Sequence, residues 1–375
     1  MSDKVLAAKM DQFAGDMTLR VEQLNAAEWD AQAHIFDDVC QEQLDVFAAE
    51  RWPAMALDRL NFYDGDRLVG GCLVMHKTAP FGLGGLAVCK WGPMLLKSNL
   101  PSAQNDYQAI VDLLVQEYAI KRRLMLSILP RAVPTEVNPA LEYLRQIGFK
   151  KGAGLPFPNR YFVNVSLSDD EMRASFNQKW RKHLRDSEKN QLRFEHVGPD
   201  RMSEFNALYE AMTARKQFPD YSAYDSLNHL MDNIDPSIRP EIFMVYDDMG
   251  EAVAGAIIFV GGDTAVYLYG ATNDKALPMQ AGYFMHWEIM RWLARQPRVE
   301  WYDLGGTDGF LGLHQFKKGM VGKKGAITTV PPVMNYAHWL VPRILGETLF
   351  LARDVKANLG RMINNLRKKG PSDPQ

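Results

Sequence analysis

The sequence has few cysteines and no recognisable metal-binding pattern. Its 375 residues contain three cysteines, Cys40, Cys72 and Cys89, and none forms a C-x-x-C pair. An odd number without such spacing argues against a disulfide framework and against a structural zinc site. The eight histidines include no H-E-x-x-H pair, which is the spacing that places two imidazoles on one face of a helix. We therefore expect no metal and a reducing compartment.

The sequence also has no surplus of charge and no long apolar run. Lysine and arginine total 43 and aspartate and glutamate 45, so the net charge is −2. The whole molecule is therefore not a general polyanion binder, and a basic site would have to be local. No apolar run approaches the roughly 20 residues that span a bilayer, and the first residues lack the apolar core of a signal peptide. These features predict a cytoplasmic protein.

What the sequence does contain is the same order of elements in both halves. Hydrophobic residues make up 47% of the chain, and the length suits two domains that each bury a core. Each half shows the pattern of a hairpin, a strand, a helix and a strand, at 60–76, 87–95, 107–120 and 124–129, and again at 243–260, 265–270, 280–293 and 299–304. This repeat predicts an α/β fold of two tandem units, each a mixed sheet flanked by helices. The expected divisions are 1–155, 156–335 and a C-terminal helical segment with a polar tail at 336–375.

One stretch of the second half has the pattern of a site, V-E-W-Y-D-L-G-G-T-D-G-F-L-G-L-H-Q-F-K-K-G-M-V-G-K-K from Val299 to Lys324. A strand-forming run ends at Gly305 and Gly306, and a glycine-rich loop follows. Lys317 and Lys318 come after this loop. Active sites of α/β proteins form on loops that follow strand ends. The alternative is a surface connection with solvated lysines.

A second stretch, Ser168–Arg193, combines an apolar face with many cations. Ser168 and Glu171 have the spacing of a capping box, so we expect one amphipathic helix here. Its apolar residues recur every four positions at Met172, Phe176, Trp180 and Leu184, and its cations lie largely off that face. The cationic face either holds phosphates or is simply solvated.

These stretches resemble a known family. The Y-D-L-G-G run at 302–306, followed by G-L-H-Q-F-K-K-G-M-V-G at 312–322, is similar to the signature of FemA/FemB/FemX-like peptidyltransferases of the GNAT acyltransferase superfamily. The W-R-K-H-L-R run at 180–185 resembles the basic helix that opens their second unit. The resemblance implies two tandem GNAT units. It also implies transfer of an aminoacyl group from a charged tRNA to an amine on a peptidoglycan (cell-wall) precursor.

The resemblance also implies roles for individual residues. Lys317 would supply positive charge at the developing oxyanion of acyl transfer. Asp303 or Asp308 would assist proton movement, although Asp303 is better interpreted as a hydrogen-bond acceptor at the strand end. No Ser-His-Asp or Cys-His set can be assigned, so no covalent acyl-enzyme is expected. The residues expected to contact substrate are Phe316, Lys318, Trp180, Arg181, Lys182, Arg185, Gly305 and Gly306.

The identity of the acyl donor depends on a loop pattern. GNAT enzymes that use acyl-CoA hold its pyrophosphate on a Q/R-x-x-G-x-G/A loop at a helix N-terminus. The equivalent segment, Leu277–Gly282, has one glycine and a proline, and Asn99–Ala103 of the first half fits less well. We therefore expect aminoacyl-tRNA as donor, a small-molecule amine such as a nucleotide-linked peptide as acceptor, and no cofactor.

Two rival functions stay open at this point. One is an acyl-CoA-dependent transferase acting on a polysaccharide or lipid precursor. The other is a non-catalytic tandem-GNAT protein that binds RNA or a partner. The C-terminal helical region, Tyr336–Leu366, either covers the sheet, which we favour, or contacts an anionic membrane surface through its apolar and basic residues.

Overall fold

The computed structural model describes residues 19–155, 157–216 and 224–351, which form two mixed β-sheets with helices packed on them. The strands are β1 Arg20–Gln23, β2 Ala56–Asp64, β3 Arg67–Thr78, β4 Gly85–Lys90, β5 Met94–Leu95, β6 Met125–Leu129, β7 Lys150–Lys151, β8 Asn159–Asn164, β9 Arg193–Val197, β10 Glu241–Tyr246, β11 Ala252–Phe259, β12 Thr264–Thr272, β13 Trp301–Asp303, β14 Ala326–Thr329 and β15 Met334–Tyr336. The helices are α1 Ala26–Gln32, α2 Asp45–Arg51, α3 Ala103–Leu114, α4 Pro139–Gln146, α5 Asp169–Ser175, α6 Gln178–Ser187, α7 Met202–Lys216, α8 Leu227–Asn233, α9 Ala281–Leu293 and α10 Leu311–Val321.

The two sheets repeat one plan. The first has the order β1-β2-β3-β4-β6-β15-β7, with β5 also pairing with β3, and the second has the order β14-β8-β13-β12-β11-β10-β9. Each contains one parallel pair, β4 with β6 and β12 with β13, and a helix, α3 or α9, connects the two strands of that pair. All other pairs are antiparallel. The predicted α/β fold of two similar units is therefore confirmed.

The chain passes between the two sheets twice. After β7 at the edge of the first sheet, the chain crosses to the second sheet, where β8 lies between β13 and β14. After β14 the chain returns, and β15 lies between β6 and β7 of the first sheet. The first sheet thus contains one strand, β15, that follows all the strands of the second sheet in the sequence. The division at residues 155/156 and 335/336 stays a prediction. The strands of the second sheet, β8 to β14, come from one continuous segment, 159–329, whereas the first sheet is completed by β15.

A shared apolar core also joins the two halves. Phe36, Leu44 and Met94 of the first half pack in one buried cluster with Phe205 and Phe259 of the second. This core places the segment between α1 and α2 against the second sheet. The cleft described below lies beside that contact.

The predicted single helix over Ser168–Arg193 is wrong in one respect, because the structure has two helices there. The capping box of Ser168 and Glu171 is present at the start of α5. A second cap then interrupts the helix: Asn177 has an extended backbone, and its side chain accepts a hydrogen bond from the Trp180 N–H at 2.8 Å. An asparagine in this position satisfies one of the free N–H groups of the next helix, so a new helix begins at Gln178. The four predicted apolar residues are all buried.

The C-terminal region is described as far as residue 351. Residues 340–351 are helical, and this helix contacts the first sheet where Gly346 lies against the side chain of Met125. The rest of the predicted segment to Leu366 lies outside the described residues. Across the described ranges, no helix is both long and apolar enough to span a bilayer.

Candidate active site

The candidate site is built around a buried lysine. Lys317 lies on α10 and is only 6% exposed. Its Nζ donates hydrogen bonds to the carbonyl oxygens of Leu304, at 2.5 Å, and Gly306, at 2.6 Å. An ammonium has three N–H donors, so this arrangement leaves one for a further acceptor.

The lysine fills a gap between two strands of the second sheet. β12 and β13 run parallel but pair over only three positions, the last being Val266 with Asp303. β12 continues to Thr272, whereas the chain after β13 turns away at Gly305, whose φ of +72° suits glycine. The strands therefore separate after Val266 and Asp303. The Lys317 Nζ lies 5.8 Å from the centre of the Tyr267 ring on the β12 side of this gap and bonds the loop on the β13 side.

Burial changes the acidity of this lysine. Loss of solvent lowers the pKa of Lys317 from 10.5 to about 8, with Arg160 adding to the decrease and the carboxylates of Asp303 and Asp308 opposing it. The group is still mostly charged at neutral pH. It therefore offers a desolvated positive charge beside a strand end, where electrostatic interactions are stronger than in water.

An aromatic wall that sequence reasoning missed encloses the lysine. His286 on α9 is buried and its Nδ1 lies 3.2 Å from the Tyr302 hydroxyl. Burial, together with the charge of Lys317, lowers the pKa of His286 to about 3, so its imidazole is neutral. The His286 ring lies 5.1 Å from that of Tyr267 and 5.5 Å from that of Phe316. A single histidine within an apolar helix gives no sequence signal, because it is indistinguishable from a core residue.

Asp303 orients the loop that Lys317 binds. Its Oδ2 accepts a hydrogen bond from the Arg160 Nε at 2.7 Å, and its Oδ1 accepts one from the Gly305 N–H at 2.8 Å. Both carboxylate oxygens are thus occupied, which favours the structural interpretation over proton transfer. Asp308, by contrast, is exposed at a φ of +47° in the loop before α10.

The residues predicted to contact substrate fall into three groups. Gly305 and Gly306 form the loop beside the ammonium of Lys317. Phe316 is half-buried in the aromatic wall, whereas Trp180 is in the core and 2% exposed, 4.4 Å from the Phe176 ring. The exposed cations are Lys318, Lys182 and Arg185. Arg181 instead donates a hydrogen bond to the Ala174 carbonyl at 2.9 Å and so holds the corner between α5 and α6.

The same corner also contacts the segment that follows α10, which carries two lysines. The backbone N–H of Asn177 donates to the Gly319 carbonyl at 3.0 Å. The Ser175 hydroxyl accepts from the backbone N–H groups of Lys323, at 3.1 Å, and Lys324, at 2.9 Å. These bonds join the start of α6 to the end of α10. We call the exposed side chains of Lys179, Lys182, Arg185, Lys323 and Lys324 the cationic corner; within the part of the chain that the structure describes, none of them forms an ion pair.

The segment before α9 differs from an ordinary helix start. Gln280 lies in the left-handed region at a φ of 55°, and α9 begins at the next residue, Ala281. The Asn190 side chain donates to the Met279 carbonyl at 3.0 Å and holds this segment against the end of α6. Pro278 has no N–H to offer an anion. Among the described residues, no group of three or more His, Cys, Asp and Glu side chains is arranged to hold a metal ion.

Comparison with known proteins agrees with this architecture. The profile of the acetyltransferase (GNAT) domain family matches residues 171–318, which contain the basic α6, the parallel pair and Lys317. The crystal structure of FemX superposes with a TM-score of 0.66 at 18% identity, over 85% of this chain and 97% of FemX. The C-terminal domain (DUF2156) from Agrobacterium fabrum, assigned to a putative lysylphosphatidylglycerol synthetase, gives a TM-score of 0.50 at 15% identity, over 83% and 92% of the two chains.

No curated protein sequence matches the chain significantly, so the fold and the domain profile carry the assignment. The profile gives the second unit an acyltransferase type of domain, and the repeated sheets extend that plan to the first half. The chain therefore has the fold of FemX, with two units of similar plan, and the second unit carries the GNAT domain profile.

Proposed function

We propose that the protein transfers an aminoacyl group from aminoacyl-tRNA to the amine of a small acceptor, such as a cell-wall precursor. The observation that carries this proposal is the buried Lys317 ammonium, held by the carbonyls of Leu304 and Gly306 in the gap between β12 and β13. Two of its N–H groups are fixed by the protein, so the third is already oriented when the reaction begins. Donors fixed in this way stabilise charge that develops in a transition state.

The chemistry is an ester-to-amide exchange. The acceptor nitrogen attacks the carbonyl carbon of the aminoacyl ester, and the carbonyl oxygen becomes an oxyanion that Lys317 stabilises. The bond from carbon to the ribose oxygen then breaks, and the proton lost by the amine ends on that leaving oxygen. Every group in this exchange comes from the two substrates, so no cofactor takes part. Asp303 acts in this scheme by holding Gly305 and the loop in place.

The cationic corner supports tRNA as the donor. Its five side chains are exposed and lie on connected elements, α6 and the end of α10. Phosphate contacts dominate nucleic-acid affinity, and such a surface can supply several. The alternative donor, acyl-CoA, requires a pyrophosphate site at the start of α9, where Pro278 removes one N–H donor. The acetyltransferase family profile keeps acyl-CoA as the second candidate.

One assay separates the two donors. Purified protein is incubated with a mixture of amine acceptors and either a labelled aminoacyl-tRNA or a labelled acyl-CoA, and one sample of each receives RNase. We expect transfer of the aminoacyl label and its loss with RNase. Transfer that survives RNase and follows the CoA label would replace the tRNA proposal with the second candidate. No transfer from either donor, with the fold intact, would favour a non-catalytic protein.

A further inference from the structure

A small cleft of about 40 Å³ between the two sheets lies on the other side of the gap that holds Lys317. Its lining includes Cys40, Glu42, Trp91, Arg131, Arg160 and Asp303. Thr264, Val266 and Leu268 of β12 line it too, at alternating positions. Because successive residues of a strand face opposite sides of a sheet, this cleft lies opposite the face that carries Tyr302 and Ala265 and packs against α9. The gap that holds Lys317 lies between these two faces.

Each of the two arginines in the cleft is paired with an acid but keeps N–H groups that have no hydrogen-bond partner among the described residues. Arg160 uses Nε on Asp303, at 2.7 Å, and its guanidinium lies 5.2 Å from the Trp91 ring centre. Arg131 uses one terminal nitrogen, which donates to the Asp263 carboxylate and the Thr264 hydroxyl. In the described ranges, the remaining guanidinium nitrogens of both have no hydrogen-bond partner, and each side chain is about one fifth exposed, 20% for Arg160 and 19% for Arg131.

Unused guanidinium donors in a cleft favour one class of ligand. A guanidinium presents five N–H donors and no acceptor, in a planar arrangement that matches the oxygens of a carboxylate or a phosphate. The acids that line the cleft or bond its arginines already have cations: Asp303 has Arg160, Asp263 has Arg131, and Glu42 lies 3.6 Å from the Lys90 Nζ. Asp38, which lies near Arg131, accepts a hydrogen bond from the Leu95 N–H at 2.9 Å. A ligand oxyanion would therefore meet free N–H groups rather than unpaired carboxylates.

We propose that Arg131 and Arg160 form an oxyanion-binding subsite that holds a carboxylate or phosphate of the amine acceptor. This inference rests on the proposed function, because it places the acceptor on the cleft side of the gap and the donor carbonyl beside Lys317. The acceptor class is thus an amine that carries an anionic group, and amines without such a group are disfavoured. Trp91, Val266 and Leu268 offer apolar contacts to the part between the two groups.

Anion binding by the protein alone tests the subsite. Thermal unfolding is measured with increasing inorganic phosphate, or with acetate, replacing chloride at constant ionic strength. A ligand that binds the folded state raises stability in proportion to ln(1 + [L]/Kd), so we expect a concentration-dependent rise in the unfolding temperature. Arg131→Lys and Arg160→Lys keep a cation beside Asp263 and Asp303 but lose the planar donor array, and each should lose at least half of that rise.

Two controls isolate the effect. Arg145→Lys changes an exposed arginine on α4 and should keep the full anion dependence. The double variant Lys182→Glu, Arg185→Glu removes charge from the cationic corner and should keep the part that depends on Arg131 and Arg160. The anion that gives the larger rise in unfolding temperature, phosphate or acetate, shows whether the subsite prefers a phosphate or a carboxylate group of the acceptor.

The proposal is overturned if both Arg→Lys proteins keep the wild-type anion dependence, or if neither anion stabilises the wild type beyond chloride. The titration contains no acyl donor and no amine, so its outcome does not depend on whether the proposed transfer occurs. A positive anion titration with no transfer activity would leave the subsite standing and reject only the proposed function.

Discussion

The ammonium nitrogen of Lys317 lies 2.6 Å from the carbonyl oxygen of Gly306, 11 residues earlier in the chain. The lysine is on a helix and the glycine on the loop after β13, so this bond fixes the helix relative to the strand end. The same nitrogen bonds Leu304, the residue directly after β13. The buried ammonium thus holds the loop after β13 against α10, beside the gap between the parallel strands.

Replacing this lysine tests its role in turnover. In Lys317→Met the side chain keeps its length but loses the charge and the N–H donors. We expect kcat to fall on the order of 10²–10³, the usual loss for one oxyanion donor. The matched control is Lys318→Met, since Lys318 is the exposed neighbour on the same helix. Equal rates for the two variants would remove Lys317 from the mechanism, provided that circular dichroism shows both folded.

The dependence of kcat/KM on pH above neutrality tests whether the positive charge of Lys317 is needed. Burial lowers the pKa of Lys317 to about 8, so the cation that stabilises the oxyanion is lost as the pH rises through this value. We expect kcat/KM to decline above about pH 8. Arginine stays charged far above this range, so Lys317→Arg should shift the decline to higher pH whatever its absolute rate. If kcat/KM of Lys317→Arg still declines near pH 8, the decline reports the deprotonation of another group.

Charge reversal tests the cationic corner as the tRNA-binding surface. Lys182→Glu with Arg185→Glu should weaken binding of aminoacyl-tRNA and reduce the slope of log affinity against log salt by about 0.7–0.9 for each phosphate that the protein no longer neutralises. Reversal of Lys150 and Lys151 in β7 changes the net charge equally at exposed positions of the first sheet. Filter binding at several salt concentrations compares the two proteins. Similar losses in both would mean that only net charge matters.

A substitution of Gly322, which lies beside the cationic corner, tests how tightly α10 packs against the end of α5. Gly322 ends α10 at a φ of +63°, and a side chain there would collide with the Ser175 carbonyl. Gly322→Ala should lower the free energy of unfolding by about 2–4 kcal/mol, through backbone strain and this clash. Gly312→Ala, in the first turn of the same helix with open space around it, should be neutral or stabilising by up to about 1 kcal/mol. Chemical denaturation measures both, and a tolerated Gly322→Ala would mean that the corner can shift.

Asp303 and Asp308 can be separated by the same measurement. Asp303→Asn removes the ionic partner of the partly buried Arg160 but can still accept from Gly305, and we expect a loss of about 1–3 kcal/mol. Asp308→Asn, at an exposed position, should change stability by less than about 0.5 kcal/mol. If instead Asp303→Asn is stable and loses only kcat, Asp303 takes part in proton transfer.

Much of the local structure was predictable because it depends on neighbouring residues. The β2–β3 and β10–β11 hairpins follow from alternating apolar residues around glycine-containing turns, and the capping box of Ser168 and Glu171 has its own spacing signal. The break at Asn177 was missed because the apolar repeat from Met172 to Leu184 continues through it. An asparagine within such a repeat gives no clear sign that its side chain caps a new helix.

Two similar α/β units, the strand that ends at Asp303 and the lysine after its glycine loop could all be inferred from the amino-acid sequence. Apolar periodicity and turn residues act over short distances, so a single chain reveals these features. The insertion of β15 into the first sheet could not be inferred. Nor could the pairing of β8 with β13, which brings together Arg160 and Asp303, 143 residues apart. The burial of Lys317 could not be inferred either, because it depends on which strands separate and which helices pack over the gap. Strand partners far apart in the chain are selected by the packing of the whole fold, and no local pattern records that choice.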